Sequence, residues 1–193
     1  MKKLVIGYIF SGRRLGKDER IFLKLAKRKN IELIMIYTDE GIQESDFEKQ
    51  IAKCDLVYNS SAENFATELQ KTIELLGKKV IDSSKTYYYL EDKWMFYVRC
   101  KENQIPTPET ILLLEDISKS KNELKKFNHW PIILKRIEGT RGEFVDKAKN
   151  LKDAEKIIKK FWKKGSEKIP IIAQEFIPSS SYRVTIIDKK IVQ

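Results

Sequence analysis

Two hydrophobic periods alternate along the first part of the chain. Lys3 to Phe10 and Ile31 to Tyr37 are short runs rich in β-branched and aromatic residues, with the length and composition of buried strands. Between them, Asp18 to Lys29 sets Ile21, Leu23, Leu25 and Ala26 at helical spacing. Leu56 to Tyr58 predicts a third strand, Ala62 to Leu76 a helix, and Lys79 to Ile81 a fourth, short strand. Gly77 marks the helix stop, because glycine accepts the left-handed backbone that closes a last turn. Strands alternating with helices predict a parallel sheet built from right-handed crossover units.

A second pattern begins near Asp92. Lys93 to Asn103 predicts a helix that runs into Ile105-Pro106-Thr107-Pro108, where the prolines enforce an extended exit. Thr110 to Leu114 predicts a strand, Ser118 to Phe127 a helix and Ile132 to Ile137 another strand. Phe144-Val145 resumes that strand pattern, so Gly139 to Gly142 is expected to join two antiparallel strands. A charged helix follows over Leu151 to Trp162, then a strand-like run from Pro170 to Ile177. Arg183 to Ile187 and Lys190 to Val192 are expected to pair around Asp188-Lys189. A chain that stops inside a strand, at Gln193, reads as the N-terminal portion of something longer.

The segment Ile132-Ile133-Leu134-Lys135-Arg136-Ile137-Glu138-Gly139-Thr140-Arg141-Gly142 carries the most chemistry. A lysine inside an apolar strand is costly unless its ammonium finds a partner or its stem snorkels to an edge. A glycine-bracketed loop directly after it offers N–H groups that can converge on an anion. Together they predict a phosphate held between an ammonium and a flap. Lys135 alone would read as a snorkelling edge lysine, and the glycines alone as a hairpin turn.

Of the 193 residues, 41% are hydrophobic and 34% charged, enough to bury a real core. The net charge of +10 invites a nucleic-acid reading. However, the lysines alternate with acids on helix faces, as in Leu151 to Lys160, and no basic platform interleaved with aromatics appears. The excess can instead steer an anionic nucleotide or an acidic partner. No apolar run is long enough for a membrane span. The apolar start ends at Phe10 and reads as a strand rather than a leader. Cys54 and Cys100 lack motif spacing and are expected as buried small hydrophobes in a cytoplasmic protein. The single histidine, His129, is expected to be structural. Tyr87-Tyr88-Tyr89 is expected to pack between domains, and Arg13 and Arg14 follow the first strand, where a substrate carboxylate could be met.

Asp92-Lys93-Trp94, Ile105-Pro106-Thr107-Pro108-Glu109-Thr110, Leu134-Lys135 with Glu138-Gly139-Thr140-Arg141-Gly142, and Gln174-Glu175-Phe176-Ile177 with Arg183 occur in one order and spacing. As a set they resemble the ATP-grasp ligases of the RimK/LysX group. That resemblance implies an α/β fold: a Rossmann-like pre-ATP-grasp domain with a parallel sheet over residues 1–91, followed by an incomplete α+β ATP-grasp domain over 92–193. Within the second domain it implies a central lobe at 92–165, with a hinge and the start of a C-terminal lobe at 169–193.

The resemblance further implies ATP as the nucleotide, with Lys93 and Lys135 on its base and α/β-phosphates. Glu138, Gly139, Thr140, Arg141 and Gly142 would form the flap. Glu175 and Phe176 would present backbone groups to the adenine edge, between Gln174 and Ile177, and Arg183 would lie near the ribose. Ser181 stands where the family has a ribose-binding acid. The implied reaction joins a carboxylate, such as the C-terminal glutamate of a carrier or ribosomal protein, to an amino acid through an acyl phosphate. Mg2+ is expected for the full-length enzyme, with its ligands beyond Gln193, so this chain alone is expected to be inactive. Homo-oligomers are implied, with an acidic carrier protein as a partner. A non-catalytic nucleotide-binding or assembly module is the alternative reading.

Overall fold

The computed structural model describes residues 3–11, 15–38, 44–61, 63–139, 142–163 and 168–192. They divide into two compact units, Met1–Tyr88 and Tyr89–Gln193.

The first unit is built on a parallel sheet of β1 (Leu4–Phe10), β2 (Ile31–Tyr37), β3 (Leu56–Asn59) and β4 (Val80–Ile81) in the order β2-β1-β3-β4. The expected strand bounds hold almost to the residue. Central β1 is buried on both faces. Tyr8 stacks with Phe22 of α1 (Lys17–Arg28) and with Tyr58, and the Phe10 ring tilts against Tyr37. Ile9 faces the opposite core, formed with Ile36, Val57, Ala66 and Ile73. Helix α3 (Asn64–Leu75) ends at Gly77, whose φ is +78°.

One helix of this unit escaped the pattern reading, α2 (Glu44–Ala52). It carries two deeply buried apolar side chains, Phe47 and Ile51, four residues apart, which is too short a stripe to separate from a turn. A further unpredicted helix, α4 (Ser84–Glu91), holds the three tyrosines. It starts where the Ser84 N–H donates to the Glu74 carboxylate at 2.8 Å.

The second unit contains α5 (Lys93–Glu102), β5 (Thr110–Leu113), α6 (Ile117–Phe127), β6 (Ile132–Arg136), β7 (Val145–Ala148), α7 (Leu151–Lys163) and β8 (Ile171–Glu175). Its sheet is antiparallel, ordered β5-β8-β6-β7. β6 and β7 are antiparallel neighbours across the glycine-bracketed segment, as the spacing predicted. Strand β6 alternates strictly: Ile132, Leu134 and Arg136 are buried, Ile133 and Lys135 half-buried. The buried set joins Leu113, Ala148, Ile171 and Ala173 beneath Leu124 of α6 and Ala154, Ile158 and Phe161 of α7. A mixed α/β fold with one parallel and one antiparallel sheet therefore stands as the residues implied.

The last expected strands are shorter than their pattern. Only β9 (Ile186–Ile187) and β10 (Lys190–Ile191) pair, with one further bond from the Val192 N–H to Thr185 O. Asp188 and Lys189 turn at φ +47° and +64°, the backbone of a two-residue hairpin loop. An isolated two-stranded ribbon has little to hold longer strands together, so Arg183 lies outside the ladder, exposed. Cys54 and Cys100 are buried and free, as expected.

Leu134 is fully buried at the centre of the second core. Leu134→Ala is expected to destabilise the protein by about 2–5 kcal/mol in urea unfolding. A change below about 0.5 kcal/mol, the range of surface substitutions, would contradict its placement.

Candidate functional site

The alternation that buries Leu134 turns Lys135 to the opposite face of the sheet. Register then sets its neighbours. Lys135 lies across from Val145 on β7 and Ile172 on β8. The adjoining row reads Lys147, Ile133, Gln174 and Thr110 across β7, β6, β8 and β5. These residues share one face because side chains two apart on a strand point the same way.

Lys135 Nζ donates to Gln174 Oε1 at 2.6 Å. The Gln174 amide is itself fixed, since its Nε2 donates to Thr110 Oγ1 at 2.9 Å, and Thr110 Oγ1 donates to Pro108 O at 2.9 Å. This chain orients the ammonium without neutralising it. Burial, and then the charge of Lys93, hold Lys135 below the ordinary lysine pKa. An ammonium has three donors, and Gln174 takes one.

Lys93 comes from α5. Asp92 caps that helix, accepting from the Trp94 and Met95 N–H groups at 2.8 and 2.9 Å, which sets Lys93 in the first turn. The Lys93 N–H donates to Ile137 O at 3.0 Å. Its Nζ donates to Ile137 O at 3.3 Å and to Gly139 O at 3.0 Å. The helix start is thus clipped to the segment that leaves β6. Burial lowers the pKa of Lys93, opposed by the charges of Glu91, Asp92 and Glu138. Glu138 itself is exposed and serves as a nearby counter-charge.

Gly139 and Gly142 have φ of +124° and +77°, backbone that a β-carbon disfavours. Thr140 and Arg141, expected as flap residues, lie outside the described residues, as do Arg13 and Arg14. Beyond Gly142 the segment is anchored from the core side. The Arg136 N–H donates to Phe144 O at 3.1 Å, and its guanidinium sits 3.8 Å from the centre of the Phe144 ring. Arg136 also donates to Phe161 O.

The structure places the Gln174 to Ile177 group differently from a row of open main-chain contacts. The Glu175 N–H is spent on Glu109 O at 2.8 Å, so it is not free for a ligand. Its carboxylate accepts from the Glu109 N–H at 3.3 Å. Phe176 is covered by Lys147, whose Nζ lies 3.3 Å from the ring centre. Ile177 and Arg183 are exposed and belong to no strand. His129 is exposed, its ring tilted against Phe127 with centres 4.6 Å apart.

Two site-facing residues were missed. Thr110 was read as a strand start and part of a motif but given no site role, and Lys147 was not read at all. Counting by twos from Val145 would have placed Lys147 on the Lys135 face.

A family model of the ATP-grasp domain matches residues 90–192, more than half of the chain. No curated protein sequence matches it significantly. Among solved structures, a RimK-domain ATP-grasp protein from Sphaerobacter thermophilus superposes with a TM-score of 0.70 at 18% identity, covering 90% of this chain and 64% of that one. D-alanine–D-alanine ligase from Bacillus anthracis gives 0.63 at 17% identity, with 90% and 58% covered. Carboxyaminoimidazole ribonucleotide synthase from Aspergillus clavatus, complexed with ATP, gives 0.61 at 16% identity, with 91% and 48% covered. The chain spans less than two thirds of each of these structures. Residues 90–192 hold all of β5 to β8, both lysines and the glycine-bracketed segment, and by that match the chain belongs to the ATP-grasp family.

Proposed function

We propose that the second unit binds ATP, and that the chain carries the nucleotide-binding part of an ATP-dependent carboxylate–amine ligase of RimK/LysX type. The observation that carries this reading is the pair of half-buried ammonium groups, Lys93 and Lys135, each depressed by burial beside a glycine-bracketed segment. Such a pair gains most from a multiply charged anion, and a triphosphate supplies one. Lys135 would bind phosphate oxygens with the donors that Gln174 leaves open. Gly139 and Gly142 would let backbone approach the same oxygens. The ATP-bound synthase among the structural relatives supports the choice of nucleotide.

ATP would supply the phosphoryl group that activates a carboxylate, and an amine would then displace phosphate to leave an amide. The carboxylate is proposed to be a protein or carrier C-terminus and the amine an amino acid. Magnesium is expected in the family. Among the described residues no cluster of three or more His, Cys, Asp or Glu side chains could hold a metal ion. By that measure the described residues do not fit a magnesium site. No helix among the described residues is long and apolar enough to cross a membrane.

Calorimetry with ATP tests the reading. Saturable binding is expected, weakened about ten- to hundredfold by Lys135→Ala, the range for a lost charge-assisted hydrogen bond. Unchanged affinity in the variant, or no binding to the folded wild type, would overturn it.

The lowered pKa of Lys135 sets a pH dependence. In the folded protein this lysine gives up its proton at lower pH than in the unfolded chain, so stability rises with pH between those two values. A bound phosphate favours the ammonium and reverses that preference. ATP affinity is therefore expected to fall as pH rises through the lowered value, with proton uptake on binding in that window. Titrations in buffers of different ionisation enthalpy measure the uptake, and Lys135→Met should reduce it to the share that Lys93 contributes. A pH-independent affinity on the alkaline side would contradict the assignment.

A further inference from the structure

Lys147 stands on the face of the site, and the nucleotide reading gives it no task. It lies on β7 directly across from Ile133 of β6, and Ile133 lies across from Gln174 of β8. Strands β7 and β8 are not neighbours, because β6 runs between them. Phe176 follows the end of β8, yet the Lys147 ammonium sits 3.3 Å from the centre of its ring. The lysine stem therefore crosses β6. It crosses on the face that Ile133 and Lys135 share, since Ile132 and Leu134 are buried on the other face with α6 and α7.

This crossing is weakly held. The neighbouring acid, Asp146, pairs with Lys160 of α7 at 3.0 Å, and the Lys147 ammonium rests on a ring. Lys147 is exposed, and in water a cation over an aromatic face is worth less than a charge-assisted hydrogen bond. The side chain can leave the ring without disturbing the sheet, because its backbone stays in the ladder with β6.

The ground that it covers adjoins the phosphate end of the proposed site. Lys93, Lys135 and the Gly139 backbone set that end at the carboxyl end of β6. Ile133 lies two residues back along the strand, about 7 Å. A base tethered to those phosphates reaches this row, where the half-buried Ile133 and the half-buried Phe176 ring offer apolar surface. A planar base gains most from such a surface, and in the free chain Lys147 lies over it.

We propose that Lys147 is a strap over the base end of the nucleotide site: it covers Ile133 and the Phe176 ring in the free chain, and an incoming base takes its place. Lys147 is then a specificity-determining residue, since a ligand gains the platform only when its base displaces the ammonium. The proposal deepens the nucleotide reading and rests on it.

NMR of the whole chain, carrying lysine labelled at the ε-carbon, tests it. A methylene held over a ring face resonates upfield of ordinary lysines, and Lys147→Arg identifies that signal by removing it. ATP is expected to return the signal to the ordinary lysine position, in step with the saturation that calorimetry measures. Inorganic tripolyphosphate, which has no base, should leave it upfield. Lys147→Ala removes a positive charge felt by both ligands, so the ratio of their affinities isolates the strap. That ratio should rise about two- to fivefold in favour of ATP, the worth of an exposed cation–π contact. A Lys147 signal that is not upfield in the free chain, that stays upfield with ATP bound, or that tripolyphosphate alone moves would overturn the proposal, as would an unchanged ratio in Lys147→Ala. Those results leave ATP binding intact, whereas a folded chain that binds no ATP would overturn the nucleotide reading and the strap with it.

Discussion

The second unit depends on the strict two-residue alternation of β6. Ile132, Leu134 and Arg136 go into the core, while Ile133 and Lys135 go to the other face. A slip of one residue would bury the lysine and expose the leucine, so the apolar core fixes the register. Pairing on both sides, with β7 and β8, holds it there. The positions of Gln174, Thr110 and Lys147 beside Lys135 are consequences of that register.

The arrangement has an electrostatic cost that points to its use. Lys135 is half-buried, depressed by its surroundings and by the charge of Lys93, and partnered by a neutral amide rather than a carboxylate. A structural lysine would do better beside an acid. Here the nearest order is built from dipoles: Gln174 on Thr110, and Thr110 on Pro108 O. Lys93 is held by the carbonyls of Ile137 and Gly139, which ties the start of α5 to the segment that leaves β6. Lys135, oriented by dipoles and by no acid, and Lys93, with acids near it, are the two cations on which the proposed anion site rests.

Much of this was legible from residue order. The bounds of β1, β2, β5 and α7 follow from apolar runs and helical spacing, and Asp92 before Lys93 reads as a helix cap. Lys135 stands out because a charge interrupts an apolar strand. Other features depend on contacts that no local pattern carries. Helix α2 has only two apolar anchors. The roles of Arg136 and Thr110 arise from chain brought close by pairing of β6 and β5 with β8. Of the backbone groups expected at the adenine edge, the Glu175 N–H is taken by Glu109 O, because the Pro108 exit brings β5 alongside β8. Arg183, expected near the ribose, lies outside the short hairpin ladder and is exposed.

The central claim is that Lys93 and Lys135 form a triphosphate receptor. Chemical labelling with an acyl-phosphate derivative of ATP, read by peptide mass spectrometry, tests it most directly, because the reagent acylates lysines beside bound phosphates. The account predicts that Lys93 or Lys135 carries the dominant label and that excess ATP suppresses it, while labelling of exposed lysines such as Lys49 and Lys126 stays low and unaffected by ATP. Labelling spread evenly over surface lysines and indifferent to ATP would contradict it.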